Sequence, residues 1–277
     1  ALGTDSSGNS NTWTVNNLVA TAGLETAAQG FDVVTYTGNG STQSISSLAF
    51  QPDLIWCKTR SNAVDHKLVD SVRGLTKVQE PNNVRVDSTD SNGITATSAT
   101  GFTVGTSGDF NTNGRTYVAW CWKAGGTAVS NTDGSITSSV SANTTYGFSI
   151  VSYTGDGNSS ATVGHGLGAT PKWVIVKRRD NANVWVIAHT SIGTNNLQFD
   201  TSAAYSPSTA SGGGGINLGN STTITTVQGT TSSVNSNASA GTYTAYCWSE
   251  VLGFSKFNTY SGGTANQTIT TGFKPRY

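Results

Sequence analysis

Charge is scarce in this chain. Asp, Glu, Lys and Arg make up 11% of its 277 residues, against roughly 25% in ordinary soluble domains. The 15 basic residues balance the 15 acidic ones, so no net field exists to hold a phosphate backbone or an anionic membrane, which excludes nucleic acid as a partner. No run approaches the roughly 20 apolar residues that span a bilayer, and the first residues lack the charged-then-apolar plan of a signal peptide. The expectation is a chain with neither membrane insertion nor Sec export. Methionine is absent and Ala1 stands first, which points to a processed chain or a piece of a longer one. The three cysteines, Cys57, Cys121 and Cys247, are too few and too odd in number for a disulfide framework. His66, His165 and His189 are the whole histidine inventory, and none has zinc-ligand spacing.

What the chain does have is Gly, Ser, Thr and Asn for solubility, and 7 Trp, 9 Tyr and 9 Phe, with many Val and Ile, for a core. It also has an internal repeat. Phe31 opens FDVVTYTGNG and Phe148 opens FSIVSYTGDG, an offset of 117 residues. Downstream, Pro52 through Lys58 and Arg60 aligns with Pro171 through Lys177 and Arg179. The closing phrases Thr116-Tyr-Val-Ala-Trp-Cys-Trp122 and Thr242-Tyr-Thr-Ala-Tyr-Cys-Trp248 also match. A third copy of the opening begins at Phe254 and reaches Pro275.

Short β-branched and aromatic runs bounded by Gly, Asn, Asp or Pro read as strands: 32–36, 54–57, 117–122, 173–176 and 184–187. Apolar residues do not recur at helical spacing among good helix formers. The expectation is an all-β chain of tandem antiparallel β-sandwich domains, jelly-roll-like in outline. Residues 31–124 form repeat 1, 125–147 an ordered connector whose 135–140 can pair as a strand, and 148–250 repeat 2. Residues 254–277 are the start of a third, truncated repeat, and 1–30 the end of a preceding domain or an N-terminal linker.

No side chains have catalytic spacing. The acidic residues stand singly rather than as a glycosidase pair, and there is no G-x-S-x-G elbow, so the chain reads as a non-enzyme with no cofactor and no metal. The thiols read as buried and inert. Trp120, Trp122, Tyr246 and Trp248 are either a sugar-stacking platform or core, with core favoured because Trp120 and Trp122 share one face of a strand. The run Asp87-Ser-Thr-Asp90-Ser-Asn92-Gly93 alternates oxygens as a calcium loop does, but lacks the downstream bidentate Glu. Gly164-His165-Gly-Leu-Gly168 is explained by turn chemistry. The sharpest recurring charges are Lys58 and Arg60 in one unit and Lys177 and Arg179 in the other, which either bind an anionic glycan or solvate a strand end.

The opening phrase, the Pro-x-Leu-Ile-x-x-Lys approach, Asp70-Ser-Val-Arg73-Gly74 and Ala119-Trp-Cys-Trp-Lys123 together resemble a repeat domain found in tail-fibre-like and virion structural proteins of tailed bacteriophages, marine ones especially. In the second unit the Asp-Ser-Val-Arg-Gly phrase is replaced by His189-Thr-Ser-Ile-Gly193. Residues 2–18 are similar to the closing strand of a laminin-G or concanavalin-like lectin domain. The resemblance implies a structural part of a tail fibre or virion appendage, located in the virion on its extracellular surface. It implies self-association as a homotrimer, contact with other virion proteins, and a host-surface glycan as ligand. The alternative is an extracellular carbohydrate-binding module without a virion role. The resemblance supplies no catalytic residues.

Overall fold

The computed structural model describes residues 29–199, 206–207, 215–229 and 235–275. The lectin-like phrase at 2–18 lies outside them. The first unit contains β1 (Phe31–Thr37), β2 (Gln43–Ile45), β3 (Leu54–Thr59), β4 (Lys67–Asp70), β5 (Lys77–Val78), β6 (Ser88–Thr89), β7 (Ile94–Ser98), β8 (Gly101–Val104), the four-residue helix α1 (Gly108–Asn111) and β9 (Thr116–Trp122). The connector supplies β10 (Val129–Asn131) and β11 (Ser138–Asn143). The second unit contains β12 (Phe148–Thr154), β13 (Ala161–Gly164), β14 (Trp173–Arg178), β15 (Val186–His189), β16 (Asn195–Gln198), β17 (Ser206–Pro207), β18 (Gly215–Asn217), β19 (Thr223–Val227) and β20 (Thr242–Trp248).

The two units have one topology. The sheet β1-β9-β3-β4 corresponds to β12-β20-β14-β15, and β2-β8-β7 corresponds to β13-β19-β18. All strand ladders are antiparallel. The fold is therefore an all-β pair of antiparallel sandwiches. The connector strand β11 pairs along β12 and β10 along β11, which widens the second unit's main sheet. Ile136, read as part of that strand, instead bridges to Val163 in β13 and so ties the connector to the opposite layer.

Period-two alternation decides which side chain enters which core. In β9, Tyr117, Ala119 and Cys121 face the first sandwich interior, with Ile94, Phe102 and Val104 from the smaller sheet. In β20, the equivalent Tyr243, Ala245 and Cys247 face the second interior, with Val163, Ile216 and Ile224. The other faces of the two main sheets pack on each other: Leu54, Leu68, Phe148, Ile150, Ile175, Trp185, Ile187, Tyr246 and Trp248 form a third buried cluster, with Trp56, Trp122 and Trp173 against it. The result is four stacked layers with three cores. Equivalent residues Trp122 and Trp248 meet at this boundary, ring centroids 6.0 Å apart.

Each sandwich closes on the same device. Tyr36 stacks on Tyr117 at 5.0 Å and 9°, and Tyr153 on Tyr243 at 5.0 Å and 12°. Tyr36 and Tyr153 donate to the carbonyls of Phe110 and Ser236, each at 2.8 Å. Tyr117 and Tyr243 accept from the amides of Thr112 and Ala238, each at 2.9 Å. Between those partners sit Asn111 and Asn237, fully buried. Their side-chain oxygens accept the amides of Asn39 and Asp156 in the turn after the first strand. Asn111 also donates to the carbonyls of Ser41 and Gly105, so one amide satisfies three backbone groups of two loops.

Residues 254–275, read as the opening of a third unit, form no strand. A β1-type strand pairs with a closing strand, and both closing strands already have two neighbours each. Leu252, Tyr260 and Ile269 stay exposed, whereas Phe257 reaches Trp173 and His189.

Candidate functional site

Two polar assemblies stand out from this hydroxyl-rich scaffold. The first lies buried at the junction of the units. Asp70, at the end of β4, caps the following turn by accepting the amides of Val72 and Arg73, and its other oxygen accepts Arg73 Nε at 2.5 Å. The Tyr246 hydroxyl, arriving from β20, donates to the same oxygen at 2.7 Å. Asp87 then bridges Arg73 and Arg179, with Arg179 Nε at 2.9 Å and Arg73 Nη1 at 3.5 Å. Burial opposes the Arg73 charge, but Asp70, Tyr246 and Asp87 outweigh it and hold the guanidinium above its ordinary pKa. Burial first, and Asp70 among the further causes, pushes Tyr246 up as well, against the lowering pull of Arg73. Trp185 completes the junction by donating its indole N–H to the carbonyls of Glu80 and Asn83.

The second assembly is an open cleft of about 910 Å³ on the first unit, lined by β4, the loops around it and α1. Lys67 Nζ lies 2.7 Å from Glu80 and 2.8 Å from Asp109. Arg85 lies 3.0 Å from Glu80 and 3.4 Å from Asp65. Asn82 donates to Asp65 and accepts the backbone amide of His66. His66 accepts the Trp56 indole N–H on Nδ1 at 2.9 Å. Burial, then Lys58, lowers the His66 pKa and keeps the ring neutral. Burial opposes the Lys67 charge, but the hydrogen bonds it donates to Asp109 and Glu80 raise its pKa overall.

The four strand-end cations do not form one site. Lys177 is buried and donates to the carbonyls of Val84 and Arg178, and Arg179 is held by Asp87. Both therefore serve the junction. Lys58 lines the cleft and donates to the carbonyls of Thr59 and Asn62. Lys58 is half-buried at that cleft, and Arg60 is the exposed one of the four.

Of the aromatic strand residues, Tyr246 and Trp248 are buried, Trp122 packs between Phe31, Phe148 and Trp248, and Trp120 is half-buried, edge-on to Trp56. In the oxygen-rich loop, Asp87 turns to the two arginines while Asp90 accepts from Asn92 N and Ser107 Oγ. Among the described residues no three His, Cys, Asp or Glu side chains group as a metal site. His165 is buried in its glycine-rich turn, accepting Leu167 N on Nδ1 and facing the Asn220 carbonyl with Nε2. The three thiols are free and buried, and burial pushes Cys57 and Cys247 up to about 12.

Sequence reasoning had singled out Lys58 and the Asp70-to-Gly74 phrase, but it missed Lys67, Glu80 and Asp109, which come from three separate elements with no shared spacing. The Asn111 and Asn237 pair carried a legible signal: each stands five residues before its closing strand.

Fold and site together define a tandem antiparallel β-sandwich module with a buried polar junction and a charged cleft. The chain belongs to a family described as a domain of unknown function (DUF7483), whose model matches residues 26–277. No curated protein and no solved structure matches it.

Proposed function

We propose that the chain is a structural module of a bacteriophage tail fibre or similar virion appendage, exposed on the extracellular surface of the virion and facing host glycans. The observation that carries this is the junction: two sandwiches are fused face to face through a third core and a buried Asp70–Tyr246–Arg73–Asp87–Arg179 network. Such a four-layer body resists bending between its units, because separating them would expose tryptophans and strand charges without partners. A low charge content and hydroxyl-rich loops suit a part that must persist outside cells. The phage assignment itself draws on the sequence phrases. Self-association as a homotrimer is part of the proposal, since it would cover sheet edges.

Mass spectrometry of purified tailed-phage particles tests the proposal. Peptides of this chain in stoichiometric amount support it, and their absence from particles of a phage that encodes the chain overturns it. The charged cleft favours a second reading, an extracellular carbohydrate-binding module without a virion role. That reading predicts the chain free in culture medium and absent from particles.

A further inference from the structure

We propose that the cleft beside β4 binds a neutral saccharide through the hydrogen-bonding edges of Arg85, Asp65 and Asp109. This names the ligand class for the glycan-facing role proposed above and rests on it.

The placement of charge comes first. Of 15 basic and 15 acidic residues in the chain, three of each line this one cleft. A protein that keeps itself soluble with hydroxyls and amides has concentrated its charges here.

The fold does not require them. At the positions equivalent to His66 and Lys67 the second unit carries Trp185 and Val186, both buried. At these two positions the β4-type strand of the second unit is therefore built from apolar residues, so the strand itself does not require the polar pair His66 and Lys67.

The arrangement of the charges then selects the ligand. Lys67 is clamped between Glu80 and Asp109, and Arg85 between Glu80 and Asp65. With three charges of each sign, the lining offers a polyanion no net attraction, and its carboxylates would repel one. A bare cation would have to displace Lys67 and Arg85 from the same carboxylates. Hydrogen-bonding capacity nevertheless remains at the rim, because the side chains of Arg85, Asp109 and Asp65 are 64%, 47% and 33% exposed. Each carboxylate oxygen accepts more than one hydrogen bond, and guanidinium offers five donors. Alternating fixed acceptors and donors match vicinal hydroxyls, which both donate and accept. The mutual ion pairs hold the side chains in place before binding, which reduces the ordering cost.

Saturation-transfer NMR on the whole chain tests this with maltohexaose, cellohexaose and mannohexaose as neutral probes and a heparin hexasaccharide as the anionic one. Variants Arg85→Ala and Asp109→Asn alter rim groups, and their melting temperatures report whether the fold survives. The expected result is transfer to at least one neutral probe at millimolar concentration, weakened about tenfold in either variant at unchanged melting temperature. Three results would overturn the proposal: no transfer to any neutral probe, transfer insensitive to both variants, or binding of heparin alone that strengthens in Asp109→Asn. The outcome is independent of the particle test: saccharide binding by a chain absent from virions removes the appendage role and keeps the cleft, and a virion protein without saccharide binding does the reverse.

Discussion

The Tyr246 hydroxyl donates to the Asp70 carboxylate at 2.7 Å across the boundary between the two sandwiches. The same oxygen of Asp70 holds Arg73, so a residue of the second unit is wired into the turn that ends β4 of the first. Coupling between the units follows from that contact. Tyr246→Phe leaves a buried carboxylate one donor short and is expected to cost about 1–3 kcal/mol. Combining it with Asp70→Asn in a double-mutant cycle should give a coupling energy above about 0.5 kcal/mol in urea unfolding. Additive single effects would show that the contact does not join the units.

The closing asparagines give a second expectation. Asn111→Ala strands one amide and two carbonyls of two loops, whereas Asn237→Ala strands one amide and one carbonyl. Both substitutions are expected to destabilise by more than about 1 kcal/mol, with Asn111 the larger. Calorimetry that ranks them the other way would contradict the bracing role.

Ala240 is the single non-glycine residue with positive φ among those described, at 58°, and it occupies the position where the first unit has Gly114, φ 77°. Left-handed backbone costs a non-glycine residue about 1–2 kcal/mol, partly offset by the greater freedom of glycine in the unfolded chain. Ala240→Gly should therefore raise the melting temperature slightly and Gly114→Ala should lower it, as thermal unfolding followed by circular dichroism will show.

The histidines set a pH dependence. Burial is the first cause lowering the pKa of His66, His165 and His189. With a folded pKa below the unfolded one, the unfolded chain binds more protons as acid is added. Stability is then fully present above the ordinary histidine range and is lost as pH falls below it. At His165 the reason is visible: a proton on Nδ1 would remove the acceptor for the Leu167 amide. Unfolding free energy should fall between pH 7 and about pH 5, by at most about 1.4 kcal/mol per pH unit for each histidine. His165→Gln should flatten that slope, and an unchanged slope would remove His165 as a contributor.

Burial also makes the thiols slow. In native buffer Cys57, Cys121 and Cys247 should resist a disulfide reagent, and in denaturant all three should react. Rapid reaction of the native protein at Cys57 would contradict the packing of β3 described here.

The sequence by itself determined the all-β class, the duplication and the strand cores. Alternation of apolar and small residues over strands such as Thr116–Trp122 leaves a single pleat compatible with burial, and the repeated Tyr and Cys positions mark the same inner face twice. It did not determine what the outer tryptophan face met. A strand buried on both sides reads alike whether its second neighbour is a sugar, another chain or the other unit, and only the folded arrangement sets Trp122 against Trp248. The charged sites were hidden for a related reason. Lys67, Glu80 and Asp109 are brought together by loop closure rather than by spacing, and Tyr246 reaches Asp70 from the far end of the chain. Long-range contacts of this kind are written in the tertiary structure alone.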